Sequence, residues 1–321
     1  MAVHILDTRM LGRSSIVAAT AVETTDGLVL FDVGPESTFG NISSELGKIG
    51  FAASDVRHAF LSHIHFDHAG AAWRFAKLGS MIYVHPRGAP HLLDPSRLIE
   101  SATRIFGDKM EKLWGRFAPV PKERLRVLHD NDVVRVGSLE VRAIETPGHA
   151  SHHHVYNWED NLFGGDVAGV RLGKGPPVPP FVPPELQIES WLDSIQKMRV
   201  LNPAKLYLPH FGLVTDSVAT HFDSLAERVR RWSEWFRDRI RVGVDEQQLI
   251  PAFADYETAD LRAAICSCAG LGGNSLGTES SEQMIQDLIR DYEAADPSFM
   301  AVAAAIRYWR KYHPEEVRPA E

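Results

Sequence analysis

Val56-Arg57-His58-Ala59-Phe60-Leu61-Ser62-His63-Ile64-His65-Phe66-Asp67-His68 is the stretch on which the reading of this chain turns. Its first six residues read as a buried strand bounded by polar positions. Directly after them, His63, His65, Asp67 and His68 place three imidazoles and a carboxylate within six positions. In a turning loop, residues two apart lie on one side, so His63 and His65 converge on one ion. Asp67 and His68 then face a second position beside it. Neutral imidazoles and carboxylates are the ligands of Zn²⁺, Fe and Mn²⁺. Packed without a metal, four such groups would leave buried polar atoms unpaired. Ala69 to Leu78 follows as a helix closed by Gly79, so the string occupies a strand-to-helix loop, where functional groups collect.

Outward from this stretch, three more positions repeat the pattern of a polar ligand after a strand. His149 lies in Thr146-Pro147-Gly148-His149, a tight turn, and Asp166 ends Leu162-Phe163-Gly164-Gly165-Asp166. His210 lies in Leu208-Pro209-His210-Phe211-Gly212. On the N-terminal side, Val3 to Leu6, Ile16 to Val22 and Leu28 to Val33 are aliphatic strands, and Ser43 to Ile49 has helical spacing. Met81 to Val84 is strand-like. Residues 85–121 read as an insertion of helices, with helical patches at Ser96 to Phe106 and Lys109 to Trp114. Strand signals return from Leu125 to Leu162. Gly173 to Pro184 carries six prolines and is expected to be an extended, stiff loop. Gln187 to Val200 reads as an amphipathic helix and Lys205 to Leu208 as a strand.

Beyond Asp216 the pattern is helical alone: Ser217 to Arg241, Glu246 to Cys268 and Glu282 to Tyr312, with a flexible joint at Leu271 to Gly277. The expected organisation is a mixed α/β catalytic domain over 1–215 and a helical C-terminal region over 216–321.

The bulk numbers narrow the field. With 321 residues and 44% hydrophobic content, the chain can bury a substantial core. Acidic residues outnumber basic ones by 42 to 34, a net charge of -8, and no Lys/Arg run reaches the length of a nucleic-acid-binding tail, which disfavours nucleic acid as a partner. No apolar stretch approaches the roughly 20 residues of a membrane span. The two cysteines, Cys266 and Cys268, sit two apart on a helix, a poor disulfide geometry. They are expected to be small apolar side chains in a reducing compartment, the cytoplasm.

Taken together, HxHxDH, then His, then Asp, then His, each after a strand, resembles the signature of the metallo-β-lactamase superfamily over about residues 3–215. The resemblance implies an α+β fold, a four-layer αβ/βα sandwich of two mostly antiparallel sheets between helices. It further implies two divalent ions, zinc first with iron or manganese as alternatives. His63, His65 and His149 would hold one, Asp67, His68 and His210 the other, with Asp166 bridging. Val29-Leu30-Phe31-Asp32-Val33-Gly34 is similar to the family's Asp-x-Gly turn, where Asp32 would steady the His63 loop. His85-Pro86-Arg87-Gly88-Ala89-Pro90-His91, the Leu113-Trp114-Gly115 segment and the proline loop look like a prokaryotic branch near the glyoxalase II-like hydrolases. The long insert and the C-terminal helices differ from glyoxalase II itself. Ala168, Gly169 and Val170 stand where the lactonase branch carries Tyr.

The chemistry implied is hydrolysis of an ester, thioester, lactone or phosphodiester-type bond in a small molecule by a metal-bridging hydroxide. Asp67 would also be catalytic, orienting that hydroxide and passing its proton to the leaving group. The rival from another class is a mononuclear iron enzyme of the persulfide-dioxygenase type, using His63, His149 and Asp166. A third reading is a helical interaction module on a metal scaffold. Phe66, Trp73 and Phe181 are candidates for an apolar rim, although core packing is the favoured expectation for Trp73. His85 and His91 suit loop hydrogen bonds, and none of His152, His153 and His154 is expected to bind the metals directly. Trp232, Trp235 and Phe236 form an aromatic stripe expected to be core. The C-terminal helices also offer a homodimer interface.

Overall fold

Aliphatic runs broken by Gly and Asp give β1 (Val3–Asp7), β2 (Ala18–Thr24), β3 (Gly27–Phe31), β4 (Val56–Phe60), β5 (Met81–Val84) and β6 (Leu125–Val127) in a computed structural model that describes residues 1–268 and 279–318. They form one sheet in sequence order. β1–β2 and β2–β3 are antiparallel, whereas β3–β4, β4–β5 and β5–β6 are parallel. This sheet is thus mixed rather than mostly antiparallel. Parallel neighbours require crossovers. Helices supply them: α1 (Phe39–Lys48), then α2 (Phe66–Ala69) with α3 (Ala72–Leu78), then α4 (Ala89–Leu93), α5 (Ser96–Phe106) and α6 (Met110–Trp114). The last two match the helical patches expected in the 85–121 insert, and α4 is an addition to them.

The second sheet contains β7 (Val133–Val136), β8 (Leu139–Glu145), β9 (His154–Trp158), β10 (Asn161–Phe163), β11 (Lys205–Leu208) and β12 (Gly212–Leu213), in the order β12-β11-β10-β9-β8-β7. All its pairings are antiparallel except β10–β11. Alternation along β3 shows how the layers form. Val29 and Phe31 join Phe60, Tyr83, Val141, Tyr156, Phe163 and Tyr207 in the core between the sheets. Leu28 and Leu30 point the other way, into a second core with Ile42 and Leu46 of α1 and Trp73 and Phe75 of α3. The α+β sandwich expected from the motif is the fold observed.

The chain separates into two compact units: residues 1–147, 151–165 and 202–214, which hold both sheets, and residues 148–150, 166–201 and 215–321. The second unit contains the proline loop, α7 (Ile188–Leu201), α8 (Val218–Arg241), α9 (Glu246–Cys268), α10 (Glu279–Ala295) and α11 (Ser298–Tyr312). The helix expected over 282–312 is two helices, because Pro297 has no N–H to continue the ladder and opens α11 instead. The joint expected at 271–277 lies outside the described residues. Cys266 is half-buried and unbridged. Among the described residues, no helix is long and apolar enough to cross a membrane.

Two rim candidates, Phe66 and Phe181, are core instead, and Trp73 is core as favoured. Phe66 and Trp73 are 6% and 5% exposed and belong to the helix-side core, with Trp73 Nε1 donating to the Arg116 carbonyl. Phe181 is fully buried in the second unit between Trp191 and Trp232. Trp232, Trp235 and Phe236 are buried there too, as the stripe suggested.

Candidate metal centre

β8, β10 and β11 run in one direction, so their C-terminal ends lie at one edge of the second sheet, where β9 begins. The exit of β4 is tied to that edge, because His154 N–H donates to the Ser62 carbonyl at 2.8 Å. Each of the seven candidate ligands follows one of these strand ends.

At the β4 exit, Asp32 organises the loop. It follows β3, the parallel neighbour of β4, with φ 55°, a left-handed conformation that Asp tolerates better than most residues. Its Oδ1 accepts from Ser62 N–H at 2.7 Å and its Oδ2 from Ser62 Oγ at 2.9 Å. Ser62 Oγ therefore accepts from His63 Nδ1 at 3.0 Å. His68 Nδ1 donates to Asp32 Oδ2 at 3.1 Å. His65 caps the start of α2, so Asp67 and His68 lie in a helical turn rather than in open loop. A Cβ on Gly70 would come within 2.4 Å of the Phe66 carbonyl, so this turn demands glycine.

His210 follows β11, and its Nδ1 donates to the Ile16 carbonyl at 2.8 Å. Its Nε2 lies 3.5 Å from Asp67 Oδ2, the same distance as His68 Nε2. One ligand atom each from Asp67, His68 and His210 lies within 4.8 Å of the others, a spread that a single ion with bonds of roughly 2.0–2.2 Å can gather. His63 Nε2 and His65 Nδ1 are 2.9 Å apart, facing one another as two ligands of one ion do.

In the second unit, His149 and Asp166 pair. Gly148 has φ 143°, and a Cβ there would meet the Trp191 backbone at 2.4 Å; the tight turn is set by α7. His149 Nδ1 donates to the Pro180 carbonyl at 2.8 Å, and its Nε2 lies 3.5 Å from Asp166 Oδ2. The turn Asp166–Ala168 is held through its carbonyls: Val167 accepts from Trp191 Nε1 and Ala168 from His221 Nε2.

A common device runs through the set. In His63, His68, His149 and His210, Nδ1 is committed to an oxygen. The ring proton therefore sits on Nδ1 and the Nε2 lone pair is left for a cation, the arrangement found around bound metals. Burial alone would raise the Asp67 carboxyl. Positive charge on the His68 and His210 rings beside it outweighs burial and holds it well below the usual carboxylate range, a charge that a bound cation would supply once their Nε2 atoms are ligands.

The first unit thus brings together His63, His65, Asp67, His68 and His210, and the second brings together His149 and Asp166. His153 is held by Thr146 Oγ1 at 2.9 Å, and the His152 ring lies 5.7 Å from that of His65. Sequence reasoning missed Ser62, although a serine abutting the motif was visible. It also missed the Pro180 carbonyl, which no side-chain pattern reveals.

A sequence model of the metallo-beta-lactamase superfamily matches residues 13–210. A metallo-beta-lactamase fold-containing protein of Sulfurisphaera tokodaii is 26% identical over 194 residues, 59% of this chain and 70% of its own length. An atrochrysone carboxyl ACP thioesterase of a Cryptosporiopsis species is 23% identical over 238 residues, 74% of this chain and 55% of that protein. A metallo-beta-lactamase family protein of Thermus thermophilus superposes with a TM-score of 0.66 at 18% identity, covering 96% of this chain and 93% of the other. That likeness shows a shared fold.

Proposed function

The chain belongs to the metallo-β-lactamase superfamily and is a metallo-hydrolase, and from that premise we propose that it cleaves an acyl bond in a small molecule, a thioester first, with the seven ligands gathered around two divalent ions. The observation that carries the reading is the donor set. Four imidazoles are fixed with Nε2 outward by bonds at Nδ1, and an ionised Asp67 sits 3.5 Å from two of them. A packed core has no use for that arrangement. The relative named as a thioesterase supports the choice among ester, thioester, lactone and phosphodiester bonds.

Two bound ions would supply Lewis acidity and a hydroxide at neutral pH. The chain's own residues do the rest. Asp32 and Ser62 hold His63 and His68 at fixed angles, so no reorganisation is needed at the moment of reaction. Asp67 accepts the proton of the attacking water and delivers it to the leaving group. The test is a panel of acyl thioesters, aryl esters, lactones and phosphodiesters with zinc-, manganese- or iron-loaded enzyme. Asp67→Ala is expected to lower kcat by about 10²-fold or more, with metal retained; near wild-type turnover would sink the assignment. Two ions per chain are expected, whereas one iron with oxygen consumption would favour the dioxygenase chemistry.

A further inference from the structure

A second group of ligand-type side chains lies in the first unit, and none of its members is among the seven. His85 leaves β5, while Glu145 and His154 are direct cross-strand partners on β8 and β9, so both present their side chains on one face. His85 comes to them from the other sheet. Its Nε2 lies 3.3 Å from Glu145 Oε1, and its ring is 4.7 Å from that of His154. One ligand atom from each of the three lies within 4.8 Å of the others.

His154 makes this cluster more than an ion pair. It is fully buried, and neither Nδ1 nor Nε2 has a hydrogen-bond partner. Two residues on, the same face carries Tyr156, whose hydroxyl is satisfied by the Leu61 carbonyl at 2.7 Å. A buried imidazole with both nitrogens unmatched is costly unless something binds it. Two imidazoles and one carboxylate are the donor set of a zinc-class ion and a poor one for Ca²⁺ or Mg²⁺, which demand oxygen. Arg87 N–H donates to His85 Nδ1 at 3.0 Å, which turns Nε2 toward Glu145. When an ion enters, the ring proton shifts from Nε2 to Nδ1, which gives up the Arg87 bond, and the freed Nε2 lone pair of the neutral ring becomes a ligand. The Glu145 side chain is 39% exposed, which gives an ion a way in.

We propose that His85, Glu145 and His154 form a separate binding site for one divalent transition-metal ion, clipping the two sheets together beside the exits of β5 and β8. The test is equilibrium dialysis of the full chain, stripped of metal, against Zn²⁺ or Co²⁺, followed by metal analysis. Glu145→Gln and His154→Gln are each expected to keep the wild-type circular dichroism and to bind one equivalent fewer than wild type. Asp67→Ala with His68→Ala should instead keep this equivalent, so failure here and failure of the proposed centre are told apart. A folded Glu145→Gln or His154→Gln protein with the wild-type ion count overturns the proposal. Should His154→Gln not fold, the partly exposed Glu145→Gln decides alone.

Discussion

The Asp32 carboxylate accepts from Ser62 N–H, Ser62 Oγ and His68 Nδ1, so one side chain sets the angle of two histidines. Asp32→Ala is expected to weaken metal binding about 10–100-fold with the fold intact, because such outer partners orient ligands and fix their tautomer. Chelator competition measures this, and an unchanged dissociation constant would refute it. At this scale the sequence was legible where chemistry is concentrated in side-chain type: His63, His65, Asp67 and His68 announce themselves within six positions. It was illegible where backbone supplies the partner, as the Ile16 and Pro180 carbonyls do for His210 and His149. Phe181 misled because a proline-rich loop reads as surface, yet its ring is buried between two tryptophans.

Among the elements, α8 and α9 are joined by a buried ion pair. Arg228 Nε lies 2.8 Å from Asp260 Oδ2, with both side chains nearly buried, and Arg228 Nη1 also donates to the Pro177 carbonyl at 2.6 Å. Arg228→Met leaves Asp260 with Arg231 and Trp232 as its remaining donors. A loss of about 3 kcal/mol is expected, the low end for breaking a buried pair because those two donors remain; urea denaturation should show it, and an unshifted midpoint would count against the pair. Element types were mostly readable, because periods of two and of 3.6 residues differ plainly. Boundaries followed local chemistry that periodicity overlooks: apolar spacing runs straight through Pro297, but the missing N–H ends the helix there.

For the molecule as a whole, the buried carboxyl of Glu257 on α9 governs stability against pH. Ser298 Oγ sits 2.9 Å from Glu257 Oε2 and close to Glu293 Oε2 at 2.6 Å. The Ser298 hydroxyl has one proton to share between the two carboxyl groups. Burial pushes the Glu257 carboxyl up to about 8, with Glu293 and Asp260 adding to it and the Ser298 bond opposing. The folded-state value is raised, so this contribution is fully present below the unfolded carboxyl's range. It is lost as pH climbs toward about 8. Wild-type Tm should therefore fall between about pH 5 and about pH 8.5, and Glu257→Gln should flatten that fall. Parallel curves for the two proteins would rule the role out.

The proline loop has a further consequence. Proline offers no donor, and the loop is fastened by its carbonyls: Pro176 to Tyr292, Pro177 to Arg228, Pro180 to His149 and Pro184 to Arg307. Three of those fasteners lie beyond residue 214. A chain cut there would keep all seven ligand groups and surrender the scaffolding that aims His149. We expect it to hold less metal after gel filtration than the 321-residue chain; equal retention would show that the tail is dispensable. The stretch that spells out the chemistry is thus shorter than the stretch needed to perform it.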